Sequence, residues 1–215
     1  MIKHVEIDKV LSILAKEQGS TMLSRMSKKY DPFKVLISTI LSARAKDEVT
    51  EIISEKLFEK YPTAERLAKA NRKDVIKIIR RIGFYNTKSK NIINTAKMLL
   101  EKFNGKVPNK IEELTELPGV GRKVANCVLV YAYKQDAIPV DTHVHRISNR
   151  LGWVKTKAPE ETEKKLEKLA PRKHWQMIND TFVAHGKTIC APISPFCSKC
   201  PIHYYCKKVG VKKHR

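Results

Sequence analysis

The chain has 215 residues, 42% of them hydrophobic, enough for one large domain or two small ones with a real core. No stretch approaches the roughly 18 apolar residues of a membrane-spanning helix, so such a helix is excluded. Forty-three Lys and Arg stand against 22 Asp and Glu, a net charge of +21. So large an excess costs self-repulsion and points to an anionic partner, with nucleic acid first; a merely solvating, lysine-rich surface is the plain alternative.

In chain order the pattern is helical almost everywhere. Val10, Leu11 and Leu14 share a helical face. Asp31-Pro32 reads as an N-cap followed by proline at the first helical position, opening the apolar segment FKVLISTILSA. Asp47 is expected to cap the next helix, with Val49, Ile52, Ile53 and Leu57 on its buried face. Thr63 and Asn71 are further caps, leading into AERLAKA and RKDVIKIIRRI, and Gly83 is expected to end the second. A helical rhythm resumes from Lys90 to Phe103, and a short helix, IEEL, precedes Pro118. No alternation of period two lasts long enough for a strand, so the expected class is all-α, many short helices joined by tight turns. The N-terminus MIKHVEIDKV lacks a signal-peptide core, and a cytoplasmic, nucleoid-associated location is expected.

Residues 116–133, ELPGVGRKVANCVLVYAY, carry the most information. One helix ends near Leu117, Pro118 to Gly121 make a tight turn, and a second helix starts at once. Gly119 and Gly121 allow a ligand close to the backbone. The new helix start, with Arg122 and Lys123 beside it, suits a phosphate. Such contacts hold DNA without reading its sequence. Asp141 follows 18 residues after Lys123, in VDTH, again at an apparent helix start. Taken alone, Lys123 reads as a lysine touching phosphate, Asp141 as a helix cap and PGVG as a plain helix connection. Cys127, among valines, reads as a small buried hydrophobe, and His143 and His145 receive no catalytic role.

The remaining cysteines, Cys190, Cys197, Cys200 and Cys206, fall within 17 residues in the spacing C-x6-C-x2-C-x5-C. Clustering in a chain without a secretion signal points to a metal site rather than to disulfides. Zinc and iron–sulfur clusters both accept four thiolates.

LPGVGRK followed by VDTH resembles the endonuclease III family of DNA glycosylases in the helix-hairpin-helix superfamily. LSARAKD, IGFYNTKSKNI and the cysteine spacing also look like family segments, from about Asp31 to Cys206. The resemblance implies a two-domain helix-hairpin-helix fold, residues 26–136 forming one domain and residues 1–25 with 137–215 a cluster-bearing one. It also implies a bifunctional DNA glycosylase and lyase that flips a damaged base, an oxidised pyrimidine by family default, out of double-stranded DNA. Lys123 would attack the sugar and form a Schiff base; Asp141 would accept a proton or support the cationic transition state. Arg44 and Phe84 match the residues that fill the gap left in the duplex, although bacterial members carry glutamine where this chain has Arg44. The four cysteines would bind a [4Fe–4S] cluster, placing Lys199 against DNA phosphate. The protein is expected to act as a monomer. The alternatives are a mismatch-directed glycosylase of the same superfamily and a non-catalytic DNA-binding protein.

Overall fold

The apolar stripe of the first segment folds as its spacing predicts. In a computed structural model, which describes residues 4–17 and 21–215, the chain begins with α1 (His4–Glu17). Ile7, Val10, Leu11 and Leu14 are fully buried on one side of it. Residues 1–3 and 18–20 of the expected N-terminal segment lie outside the described residues. The chain divides into two units, one of Met22–Gln135 and one of Met1–Thr21 with Asp136–Arg215. All regular structure among the described residues is helical.

The continuous unit holds α2 (Met22–Met26), α3 (Pro32–Ser42), α4 (Asp47–Lys60), α5 (Ala64–Ala68), α6 (Arg72–Ile79), α7 (Tyr85–Phe103), α8 (Ile111–Glu116) and α9 (Arg122–Tyr133). α3 is its centre: Phe33 and every residue from Val35 to Leu41 are buried. It packs against α2, α4, α7 and α9. Asp31 caps it, accepting from the Lys34 amide at 2.9 Å, ahead of Pro32. Thr63 and Asn71 cap α5 and α6 through the Arg66 and Lys73 amides.

Three boundaries differ from the expectation. Asp47 is the first residue of α4 rather than its cap; Lys46 holds the cap position, and Asp47 and Glu48 place their charge at the positive end of the helix. The buried face of α4 is Thr50, Ile53, Ser54, Leu57 and Phe58, turned so that Ile52 is 52% exposed and Val49 half-buried. Buried hydroxyls mislead a reading based on apolar residues alone. α6 ends at Ile79, before Gly83, and α7 begins at Tyr85, well ahead of Lys90. The first turn of α7 is polar in sequence but held from outside, since Arg72 donates to the Ser89 hydroxyl at 3.2 Å and to the Asn86 carbonyl at 3.0 Å.

The discontinuous unit adds α10 (Thr142–Leu151), α11 (Pro159–Leu169) and α12 (Trp175–Thr188) to α1. Its core joins Ile7, Leu11 and Leu14 to Val144, Ile147, Leu151, Ile178 and Phe182. The Trp153 and Phe182 rings meet with centroids 5.4 Å apart. A loop carrying the four clustered cysteines follows α12 and packs against this core through Cys190, Cys200 and Cys206.

Candidate active site and cysteine loop

The hairpin α8–turn–α9 constrains one of its two glycines and leaves the other open. Gly119 has φ +81, and a Cβ there would lie 2.6 Å from Asn91 Nδ2. The Pro118 carbonyl accepts from the Thr95 hydroxyl at 2.9 Å, which fastens the turn to α7. Gly121 is the N-cap of α9 and has ordinary negative φ. It makes no side-chain cap bond, and a Cβ there would meet nothing within 4 Å. The first turn of α9 therefore has open space before it, with Arg122 exposed and Lys123 half-buried. A helix start of this kind is a ready phosphate site.

Asp141 occupies the equivalent position on α10 but fills it. Its Oδ1 accepts from the His143 amide at 2.8 Å and the Val144 amide at 3.0 Å. Among the described residues none donates to Oδ2. Asp141 is thus a helix cap, half-buried and with one carboxylate oxygen uncommitted. His143 bonds Arg146 (3.1 Å) and His145 bonds the Thr162 hydroxyl (2.6 Å), so both histidines have structural partners. Burial lowers the His143 pKa, with Asp141 opposing. Lys123 belongs to the continuous unit and Asp141 to the other.

Arg44, Phe84 and Gly119 are brought together. They line a cleft of about 220 Å³ in the continuous unit, with Ile40, Ala43, Thr87, Lys88 and Asn91. Phe84 is 62% exposed, not a core residue. It has φ 60 and Arg44 has φ 54, left-handed states that non-glycine residues seldom hold. The Arg44 guanidinium lies 5.8 Å from the Phe84 ring centroid.

The four clustered cysteines line a second cavity, walled by Ile147, Leu151, Ile189, Phe196, Ile202 and Val211. Two arginines to which the sequence reading gives no role hold Cys190 in that cavity. Arg146 donates to the Cys190 carbonyl at 2.8 Å, and Arg150 donates to the Cys190 sulfur at 3.2 Å. Their spacing, i and i+4 on α10, was the available signal. The Cys200 sulfur lies 3.6 Å from His185 Nε2. Burial pushes the Cys200 thiol up to about 11, and Cys206, Cys190 and Cys197 push the same way. Thiols so placed would lose their protons only with a cation among them, as a bound metal would supply. Among the described residues no three His, Cys, Asp or Glu side chains are grouped as they would be around a single ion. Lys199 is exposed on the short turn Cys197–Lys199.

Residues 37–172 match the family model for the HhH-GPD superfamily of base excision DNA repair proteins. Endonuclease III of Thermotoga maritima is 51% identical over 183 residues, 85% of this chain and 86% of that protein. The chain belongs to the endonuclease III family of the HhH-GPD superfamily. Endonuclease III of Synechocystis sp. is 40% identical over 81% of this chain and 80% of its own. A solved structure of endonuclease III, trapped as a covalent intermediate on DNA, superposes with a TM-score of 0.86 at 36% identity, covering 97% of both chains. The fold class expected from the sequence is therefore correct. The protein is a DNA glycosylase of base excision repair with the lyase activity of its family, and it binds DNA. Members of the family usually carry a [4Fe–4S] cluster. Among the described residues no helix is long and apolar enough to cross a membrane.

Proposed function

We propose that the protein, as a monomer, excises oxidised pyrimidines from double-stranded DNA and nicks the strand 3′ to the resulting abasic site, with Lys123 as nucleophile. The observation that carries this reading is the chain's close similarity to an enzyme caught covalently on DNA, together with Lys123 in the first turn of α9. A neutral Lys123 amine attacks the sugar carbon that bears the base. The C–N bond to the base breaks, the sugar ring opens, and a Schiff base remains. Loss of a proton from the adjacent sugar carbon then expels the 3′ phosphate. A helix N-terminus and the neighbouring Arg122 both favour the neutral amine over the ammonium ion. Asp141, with Oδ2 uncommitted, supports the positive charge that develops on the sugar and accepts a proton.

Gly119, Gly121 and Arg122 hold the DNA backbone, and Arg44 and Phe84 occupy the gap left by the flipped nucleotide. Cys190, Cys197, Cys200 and Cys206 hold a [4Fe–4S] cluster whose role is structural, keeping Lys199 toward phosphate. Purified protein should then be yellow-brown and contain iron and sulfide, and a colourless active protein with one zinc would refute the assignment. A protein acting on chromosomal DNA in this way would be associated with the nucleoid.

The test is strand nicking on a panel of lesion duplexes with and without borohydride, which reduces a Schiff base to a permanent bond. Oxidised-pyrimidine duplexes should be nicked fastest and become cross-linked to the protein. Lys123→Gln should abolish both outcomes while still binding the duplex. Preference for a normal mismatched base, or binding without base release, would replace this reading with one of its alternatives.

A further inference from the structure

Lys88 is a lysine that the proposed chemistry does not use, and it is only 5% exposed. Lysines are almost never buried without a partner. Its ammonium donates to the Leu41 carbonyl at 2.8 Å and the Ala43 carbonyl at 2.6 Å. These carbonyls lie at the C-terminal end of α3, where the helix leaves acceptors unpaired and favours a cation. Arg44 is the next residue in the chain. The Lys88 backbone amide meanwhile donates to the Phe84 carbonyl at 3.0 Å. One residue therefore bonds both segments that wall the cleft, and both Arg44 and Phe84 sit in left-handed states that persist only when their surroundings fix them.

We infer that Lys88 is a positioning residue which ties the Arg44 segment to the Phe84 turn and thereby sets how the two side chains meet the strand opposite the excised base. The inference rests on the reading of Arg44 and Phe84 as the residues that enter the duplex. Lys88 touches no reacting atom in this account. Its effect reaches the DNA through the backbone of Ala43 and Phe84. The four-carbon stem is suited to the task, since it spans from α7 to the end of α3 and leaves the guanidinium and the ring on the open side of the cleft.

The experiment compares wild type, Lys88→Met and Lys88→Arg on one lesion placed opposite each of the four bases, under single-turnover conditions. Strand cleavage at a pre-formed abasic site opposite one fixed base is followed beside it. Lys88→Met should flatten the discrimination among opposite bases by roughly tenfold, less than the ~100-fold that a misplacement of about 1 Å can cost. Cleavage at the abasic site should change little, and Lys88→Arg, which keeps two donors, should restore much of the profile. A folded Lys88→Met with the wild-type profile would overturn the inference. So would a uniform loss of both activities in step with a lowered melting temperature, because that is a purely structural role. Should Lys88→Met not fold, Lys88→Gln, one atom too short to serve both carbonyls, carries the same comparison. Arg44→Ala separates the two levels. If it leaves the profile unchanged, the underlying reading of Arg44 fails and this inference with it; if it alters the profile while Lys88→Met does not, only the inference fails.

Discussion

Two helix starts in this protein solve the same electrostatic problem in opposite ways. α9 begins at Gly121, which puts no side chain over the first turn. α10 begins at Asp141, whose carboxylate already accepts two of the amides there. Both ends are positive, and both favour an anion. The first leaves that anion to come from outside, as a DNA phosphate would. The second supplies it from within the chain and, in doing so, fixes a carboxylate in place. The cap bond is compatible with the catalytic role proposed for Asp141 because the amides use Oδ1 alone.

The largest effect should come from breaking the second arrangement by charge alone. Asp141→Asn keeps an oxygen for the His143 and Val144 amides but removes the negative charge. Base removal should fall roughly 10²–10³-fold, the scale seen when one preorganised hydrogen bond to a transition-state charge is removed, while the melting temperature moves little. Asp141→Ala should show the same loss of rate and also cost about 1 kcal/mol of stability, as a deleted cap does. Thermal unfolding beside single-turnover kinetics separates the two contributions.

Making α9 resemble α10 is the converse test. Gly121 has ordinary backbone angles and open space around it, so Gly121→Asp introduces no strain. Stability should stay constant or rise by a few tenths of a kcal/mol. Affinity for undamaged duplex should fall, and its salt dependence should become shallower by about one phosphate contact. Unchanged affinity would mean that phosphate does not use this helix start.

A third helix end is expected to give the smallest effect. The C-terminus of α3 is filled from within by the Lys88 ammonium. Burial lowers the pKa of that amine to about 8 from the ordinary 10.5. The native state then gives up this proton before the unfolded chain does. Between those two values the unfolded chain binds more protons, so the Lys88 contribution to stability rises with pH through that window and is lost as pH falls through about 8. An NMR titration of the lysine side chains should show a midpoint near 8 that Lys88→Met removes, together with the alkaline rise in stability.

Much of this was legible in the residues because the physics was local. Asp31-Pro32 and the unbroken apolar run behind it announce α3, and the glycines of residues 118–121 announce a turn. The cysteine spacing announces a shared site. What stayed hidden depends on distant partners. The start of α7 at Tyr85 reads as polar loop until Arg72 is seen holding Asn86 and Ser89. Val49 and Ile52 look like a buried face until Thr50 and Ser54 are found inside. Lys88 cannot be told from its many exposed counterparts, since its acceptors are backbone carbonyls 45 and 47 positions away in the chain. Arg146 and Arg150 share a helix face in the sequence, but nothing in it says that the face meets Cys190.

Lys123 is the proposed attacking nitrogen, and peptide mapping of the borohydride-trapped complex tests this directly. The wild-type protein, reduced on a lesion duplex and digested, should carry the residual sugar on the peptide that contains Lys123 and on no other. A stable adduct at the N-terminal amine or at another lysine, with the Lys123 peptide unmodified, would contradict it.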